Sequence, residues 1–184
     1  MTNLLVCLVN PNKMKISATK ITMYNTCPYK YWLNYELGAM VAPQPHFIIG
    51  TMYHKAVEKY HQFGKLDKAN IKPVLDQIKP LIIIKKTSEE IDRFGLVRLM
   101  LEKYAEYPVD DAKTIDTEWF FNIDIPCTTI QLNGFIDRVV EGGMVEYKTT
   151  SFDFTEKDVH TIQADIYSYA SEIGLENCPI LLFR

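Results

Sequence analysis

With 184 residues, 47% of them hydrophobic and 23% charged, the chain is long enough to bury a sizeable core and reads as a soluble globular domain. A net charge of −3 argues against a surface that is basic all over. It leaves room for acids gathered around a cation, which reverses the local field. The longest apolar runs, Leu4–Val9 and Leu81–Ile84, are too short to span a bilayer, and no basic stretch precedes the first. The four cysteines include no C-x-x-C pair, so neither structural zinc nor a disulfide framework is expected, and a cytoplasmic protein is.

Residues 1–13 read as an upstream extension, non-native or disordered, with Met14-Lys15-Ile16-Ser17 as the natural start. One domain is expected over 14–184, helical over about 17–107 and sheet-forming over about 114–184. Ser17 to Leu37 predicts a helix in two pieces, broken near Cys27-Pro28 because the residue before proline disfavours helix. Ile21, Tyr24, Tyr31, Trp32 and Tyr35 give it an aromatic stripe. Ala39–His46 has two prolines and no period, which predicts a loop. Gly50 to Glu58 opens a helix ending near Phe63, and it carries His54. Asp67–Ile84 predicts helix with interruptions at Pro73 and Pro80. Thr87-Ser88-Glu89-Glu90 has capping-box form and starts a helix that ends near Tyr107.

From Thr114 the hydrophobic period shortens. Ile115 to Ile125 predicts a strand, Pro126-Cys127-Thr128 a turn, and the following residues a second strand that reaches Asp137. Glu118 on the first of these is either a residue supporting a site or an edge-strand charge. Gly142-Gly143 then suits a two-residue hairpin turn. On that turn Glu141 faces Met144, Val139 faces Glu146, and Asp137 faces Lys148. Alternation puts Asp137, Glu146 and Lys148 on one face, with Val145 and Tyr147 on the other. Two carboxylates and a lysine so placed form either a solvated ladder of ion pairs or a site for a hard divalent cation with a lysine beside it. Thr155 to Asp158 again looks like a cap, and the helix after it carries Gln163 and Tyr167 one turn apart. Ile180 to Phe183 predicts a last strand.

The Asp, hairpin, Glu-x-Lys arrangement resembles the PD-(D/E)xK nuclease superfamily. The wording from Gly134 to Thr150 is similar to its RecB-like branch, which includes CRISPR-associated exonucleases. Three further stretches resemble that branch in the same order: Cys27-Pro28 with its aromatic followers, Gly50…His54…Glu58, and Gln163…Tyr167. The resemblance implies a restriction-endonuclease-like α/β fold, a mixed sheet flanked by helices with an N-terminal helical region. It implies a DNA nuclease that hydrolyses phosphodiester bonds, an exonuclease of repair, recombination, phage or CRISPR-type processing, acting on single strands or duplex ends. It also implies Mg²⁺ or Mn²⁺ held by His54, Asp137, Glu146 and the Tyr147 carbonyl. Lys148 would act on the attacking water and the phosphate, and Gln163 and Tyr167 would orient the site. Relatives with an iron–sulfur cluster use Cys27 with three C-terminal cysteines. Only Cys178 stands there, so no cluster is expected in this chain. One alternative is a catalytically silent nucleic-acid-binding module of the same fold. Another is a helical metal protein using His54, Glu58 and His61, at i, i+4 and i+7.

Overall fold

The computed structural model describes residues 13–39, 45–62, 68–78, 93–107, 112–149, 161–174 and 181–183. Among the described residues five strands make one mixed sheet flanked by helices: β1 (Met14–Ile16), β2 (Thr114–Asp124), β3 (Ile130–Val140), β4 (Gly143–Glu146) and β5 (Leu181–Phe183). The order is β1-β3-β4-β5, and β2 pairs with β3. Among the described residues the helices are α1 (Ala18–Thr26), α2 (Pro28–Tyr31), α3 (Pro45–Gln62), α4 (Ile71–Ile78), α5 (Arg93–Glu106) and α6 (Ile162–Gly174). A π-helical stretch, Trp32–Glu36, follows α2, and a 3₁₀ turn, Lys68–Asn70, precedes α4. The expected strand, strand, strand, helix, strand order is therefore present, with β1 as an addition that the short, unpatterned Met14–Ile16 did not announce.

The chain divides into two compact units. The first comprises Met1–Met40, Phe120–Phe135 and Glu156–Pro179, and the second Val41–Trp119, Ile136–Thr155 and Ile180–Arg184. In the first, β1 runs parallel to the start of β3, with Met14 opposite Ile130 and Ile16 opposite Leu132. Ser17 caps α1 by accepting from the Lys20 amide at 3.4 Å. Cys27 is extended, with φ −159°, and Pro28 opens α2, as the Cys-Pro step dictates. Phe121 packs edge-on against Tyr167 of α6, with ring centroids 5.7 Å apart. Gly134 makes that contact possible, because a Cβ there would lie 2.7 Å from Phe121 Cζ.

The second unit holds the larger buried core. Met52, Ala56, Val57 and Tyr60 of α3 recur at helical spacing and meet Ile71 and Val74 of α4, Val97, Leu101 and Tyr104 of α5, and Val140, Val145 and Tyr147 of the sheet. Two helix boundaries differ from expectation. The helix α3 begins at Pro45 rather than near Gly50, since proline suits a first helical turn and continues into it. Pro73 does not interrupt α4 because it lies in the first turn, where its missing N–H has no intrahelical partner to lose. The expected caps at Thr87–Glu90 and Thr155–Asp158, Pro80, and residues 1–12 lie outside the described residues.

Candidate active site

The hairpin that carries the expected site turns one residue early. Val140 faces Gly143, Val139 faces Met144 and Arg138 faces Val145, so the loop is Glu141-Gly142 rather than Gly142-Gly143. Gly142 alone takes a positive φ, +86°, and the turn needs it only there. Continuing the register puts Asp137 opposite Glu146 instead of Lys148. Every pairing has moved by two residues, and two is the side-chain period, so Asp137, Glu146 and Lys148 keep a common face.

The acids are tied into the strands. The Tyr147 amide donates to Asp137 Oδ2 at 2.7 Å, and Asp137 Oδ1 lies 3.1 Å from His54 Nδ1. Lys148 Nζ donates to Glu146 Oε1 at 2.5 Å. Glu146 is only 3% exposed. Burial first, and then the Asp137 carboxylate, push its carboxyl up to about 7, with Lys148 pulling the other way. Burial would lower the pKa of His54, yet the hydrogen bond and charge of Asp137, helped by Glu146, carry it above its ordinary value. This pair of mutually repelling carboxylates out of water is an anionic centre that a cation would stabilise.

Above it opens a cavity of ≈ 530 Å³ lined by His54, Lys55, Glu118, Tyr147, Lys148 and Thr149, among others. Its wall explains Gly50. A Cβ at Gly50 would stand 3.0 Å from Thr149 Oγ1, tighter than an ordinary contact, so glycine eases the approach of α3 to the end of the hairpin. Glu118 reaches the cavity through a kink that strand alternation does not predict. Its φ is +52°, in the left-handed region, within an otherwise extended β2. A strained residue next to a cleft commonly marks a functional position, and a kink of this kind re-aims a side chain. Burial holds the Glu118 carboxyl above the usual range although Lys55 opposes it.

Beneath the hairpin lies a group that the sequence did not announce. Arg138 is 1% exposed. Its guanidinium donates to Thr114 Oγ1 at 2.9 Å, to the Ala112 carbonyl at 2.8 Å and to Tyr147 Oη at 3.3 Å. Tyr147 Oη also meets Tyr104 Oη at 2.9 Å and His61 Nε2 at 3.2 Å. His61, buried and beside Arg138, has its pKa driven down to about 3 and is neutral. The Tyr147 side chain thus anchors the segment between Glu146 and Lys148 from the core side. The alternation of inward tyrosine between two site residues was the available signal; an arginine in a hydrophobic strand was not one.

Of the expected site residues, His54, Asp137, Glu146, Tyr147 and Lys148 are gathered in the second unit. Gln163 and Tyr167 belong to the first, where Gln163 Nε2 donates to Tyr167 Oη at 2.7 Å and Tyr167 Oη donates to the Phe135 carbonyl at 2.6 Å. The helical metal protein is not supported. His61 is engaged in the core, Glu58 by Lys55 at 2.7 Å and Gln62 at 3.1 Å, and His54 by Asp137. Among the described residues no three His, Cys, Asp or Glu side chains stand ready around one cation position. In this state the candidate ligands hold each other and Lys148. Their chemistry, two hard carboxylates with an imidazole, nonetheless fits a divalent ion such as Mg²⁺ or Mn²⁺. Neither Cys27 nor Cys127 is in a disulfide, and Cys7 and Cys178 lie outside the described residues. Among the described residues no helix is long and apolar enough to cross a membrane.

No curated protein matches the chain. A family model does, that of the PD-(D/E)XK nuclease superfamily, over residues 15–179. The match takes in the hairpin and α6, and with the acids and lysine gathered on one hairpin face it leaves a plain conclusion: the chain belongs to the PD-(D/E)XK nuclease superfamily.

Proposed function

We propose that this protein is a divalent-metal-dependent deoxyribonuclease of the RecB-like kind, an exonuclease in DNA repair, recombination, phage or CRISPR-type processing inside the cell, with 14–184 as its nuclease domain. The observation that carries the reading is that His54 and Lys148, which line one open cavity, are bonded to Asp137 and Glu146 in turn. The RecB-like assignment is supported by the ordered motifs at Cys27-Pro28, Gly50…His54 and Gln163…Tyr167.

Asp137, Glu146, His54 and the Tyr147 carbonyl would hold Mg²⁺ or Mn²⁺. When bound, the cation supplies Lewis-acid stabilisation of the phosphate and a more acidic water. To share an ion with Asp137, His54 would ligate as the neutral imidazole through Nδ1, the nitrogen that here faces Asp137 Oδ1 at 3.1 Å. Lys148 is the mobile charge of the site. Freed from Glu146, its ammonium orients the attacking water and steadies the negative charge that builds on the phosphate oxygens. The Tyr147 amide fixes Asp137, and the buried Arg138 cluster fixes Tyr147. Gln163 and Tyr167 orient the site or the phosphate on the strength of their motif alone.

A catalytically silent DNA-binding module is the second reading. The retention of both acids and the lysine favours the enzyme, because a fold kept only for binding has no use for that combination. The test is incubation of end-labelled single- and double-stranded DNA with Mg²⁺, Mn²⁺, Ca²⁺ or excess EDTA. Cleavage is expected with Mg²⁺ or Mn²⁺, and little with Ca²⁺, whose longer, looser coordination places the water poorly. Full cleavage in EDTA would refute the metal requirement, and none with any ion would favour the binding module. Progressive shortening from one end, as against internal cuts, tests the exonuclease assignment.

A further inference from the structure

The N-terminal helices hold exposed rings in an ordered array. Tyr24, Tyr29, Trp32 and Tyr35 are 54%, 66%, 44% and 39% exposed. Tyr29 and Trp32 are stacked, with centroids 5.9 Å apart and planes 24° from parallel. Tyr31 ties the rest together, edge-on to Tyr24 at 5.5 Å and tilted against Tyr35 at 5.2 Å. Lys20 Nζ sits 5.1 Å above the Tyr35 ring. Trp32 and Tyr35 lie on the π-helical stretch, a rare local geometry that recurs at functional sites. A water-soluble chain leaves single rings exposed without consequence, but four together on one short segment mark a surface that something covers.

Charge and shape indicate what that is. Residues 13–39 carry Lys13, Lys15, Lys20 and Lys30 against Glu36 alone, a local charge of +3 in a chain whose total is −3. Lys13 is spent on Asp124, at 2.5 Å, but Lys20 lies over the Tyr35 ring and Lys30 lines a groove. This groove, of ≈ 340 Å³, is lined by Thr19, Thr22 and Thr26 together with Ala18, Met23, Lys30 and Gln163. The three threonines, at i, i+3 and i+7, share one face of α1. Rings that offer π-faces, a lysine over one of them, and a groove that presents hydroxyls and Lys30 are what a nucleic-acid strand requires: stacking platforms for bases and donors for phosphates. Protein interfaces also use tyrosine and tryptophan but are depleted in lysine, and residues 13–39 set lysines beside their rings. Duplex DNA already stacks its bases internally and has no free π-face to offer these rings.

We propose that this face binds single-stranded DNA, with unpaired bases stacked on Tyr29 and Trp32 and the backbone following the groove beside Lys30. The choice of DNA over RNA rests on the nuclease reading; the preference for unpaired bases rests on the rings.

The experiment is fluorescence anisotropy with labelled oligothymidylate and a blunt DNA duplex, using the Lys148→Ala protein in EDTA so that the strand stays intact. The oligothymidylate is expected to bind more tightly than the duplex. The double variant Tyr29→Ala/Trp32→Ala in the same background should lose about tenfold or more in affinity for it, with duplex binding little changed. Trp32→Phe, which keeps a ring, should retain most of the affinity. Both positions are exposed, and an unchanged circular-dichroism spectrum and melting point will show that the fold is intact. Single-strand affinity that survives loss of both rings overturns the proposal, and so does an equal loss for single strand and duplex. Cleavage by the wild type is read separately. Ring-dependent binding without cleavage removes the nuclease reading and keeps the platform, whereas cleavage with ring-independent binding removes the platform alone.

Discussion

Arg138→Met tests whether the buried cluster holds the hairpin in place. Methionine keeps the length and much of the volume, so the cavity it leaves is small. What is lost is the guanidinium's bonds to the Ala112 carbonyl at 2.8 Å and Thr114 Oγ1 at 2.9 Å, and the longer one to Tyr147 Oη at 3.3 Å; the contact with Tyr104 Oη at 3.5 Å is too long to count. The two short bonds leave acceptors that the arginine had satisfied, at about 1–3 kcal/mol each. Removing the buried charge also relieves its own desolvation, which offsets part of this. A net loss of about 3 kcal/mol follows, or roughly 6–12 °C in Tm for a chain of this size. Urea denaturation in EDTA, which excludes any contribution from bound metal, measures it. Tyr147→Phe removes the shared hydroxyl and should cost about 1–2 kcal/mol, and the double variant should cost less than the sum of the two because they share a bond. An Arg138→Met protein with the wild-type midpoint would refute the reasoning, since it would mean that Tyr147, and with it the spacing of Glu146 and Lys148, is held by something else.

Lys148→Ala should hold Mn²⁺ at least as well as wild type, because a like charge 2.5 Å from Glu146 has gone, while cleavage falls by about 10²–10³; Asp137→Ala should lose both, and calorimetry with a nuclease assay on the same samples separates them. His61 supplies a pH signature: its pKa is lowered in the fold from 6.5 to about 3, so the unfolded chain binds the extra proton, and its contribution is complete above 6.5 and lost as pH falls toward 3. That contribution is at most about 5 kcal/mol, and the stability gap between wild type and His61→Gln should shrink by part of it over this window; Glu146, whose opposite slope runs between 4.5 and about 7, is common to both proteins. A gap independent of pH would mean that His61 is not held neutral. Gly134→Ala should destabilise by about 1–3 kcal/mol, because its Cβ would meet Phe121 at 2.7 and 2.8 Å and that ring is packed on Tyr167; an unchanged thermal midpoint would show that the ring can move aside.

The sequence by itself determined which residues share a face and in what order the elements come. Period two survives a shift of the hairpin turn from Gly142-Gly143 to Glu141-Gly142, so Asp137, Glu146 and Lys148 stayed together although each of their expected partners was wrong. The break at Cys27-Pro28, the strand from Thr114 and the contact of Gln163 with Tyr167 were legible for the same reason: each follows from the chain's local chemistry over a few residues. Only the tertiary structure decided what depends on distant residues meeting. It brought His54 to Asp137 across 83 positions, set Gly50 against Thr149, and turned Glu118 into the cavity through a backbone conformation that no side-chain pattern encodes. It also buried Arg138. A charged residue in a strand reads as solvent-facing, and it can lie inside only where hydroxyls and a carbonyl from Thr114, Tyr147 and Ala112 converge to replace the water it gives up.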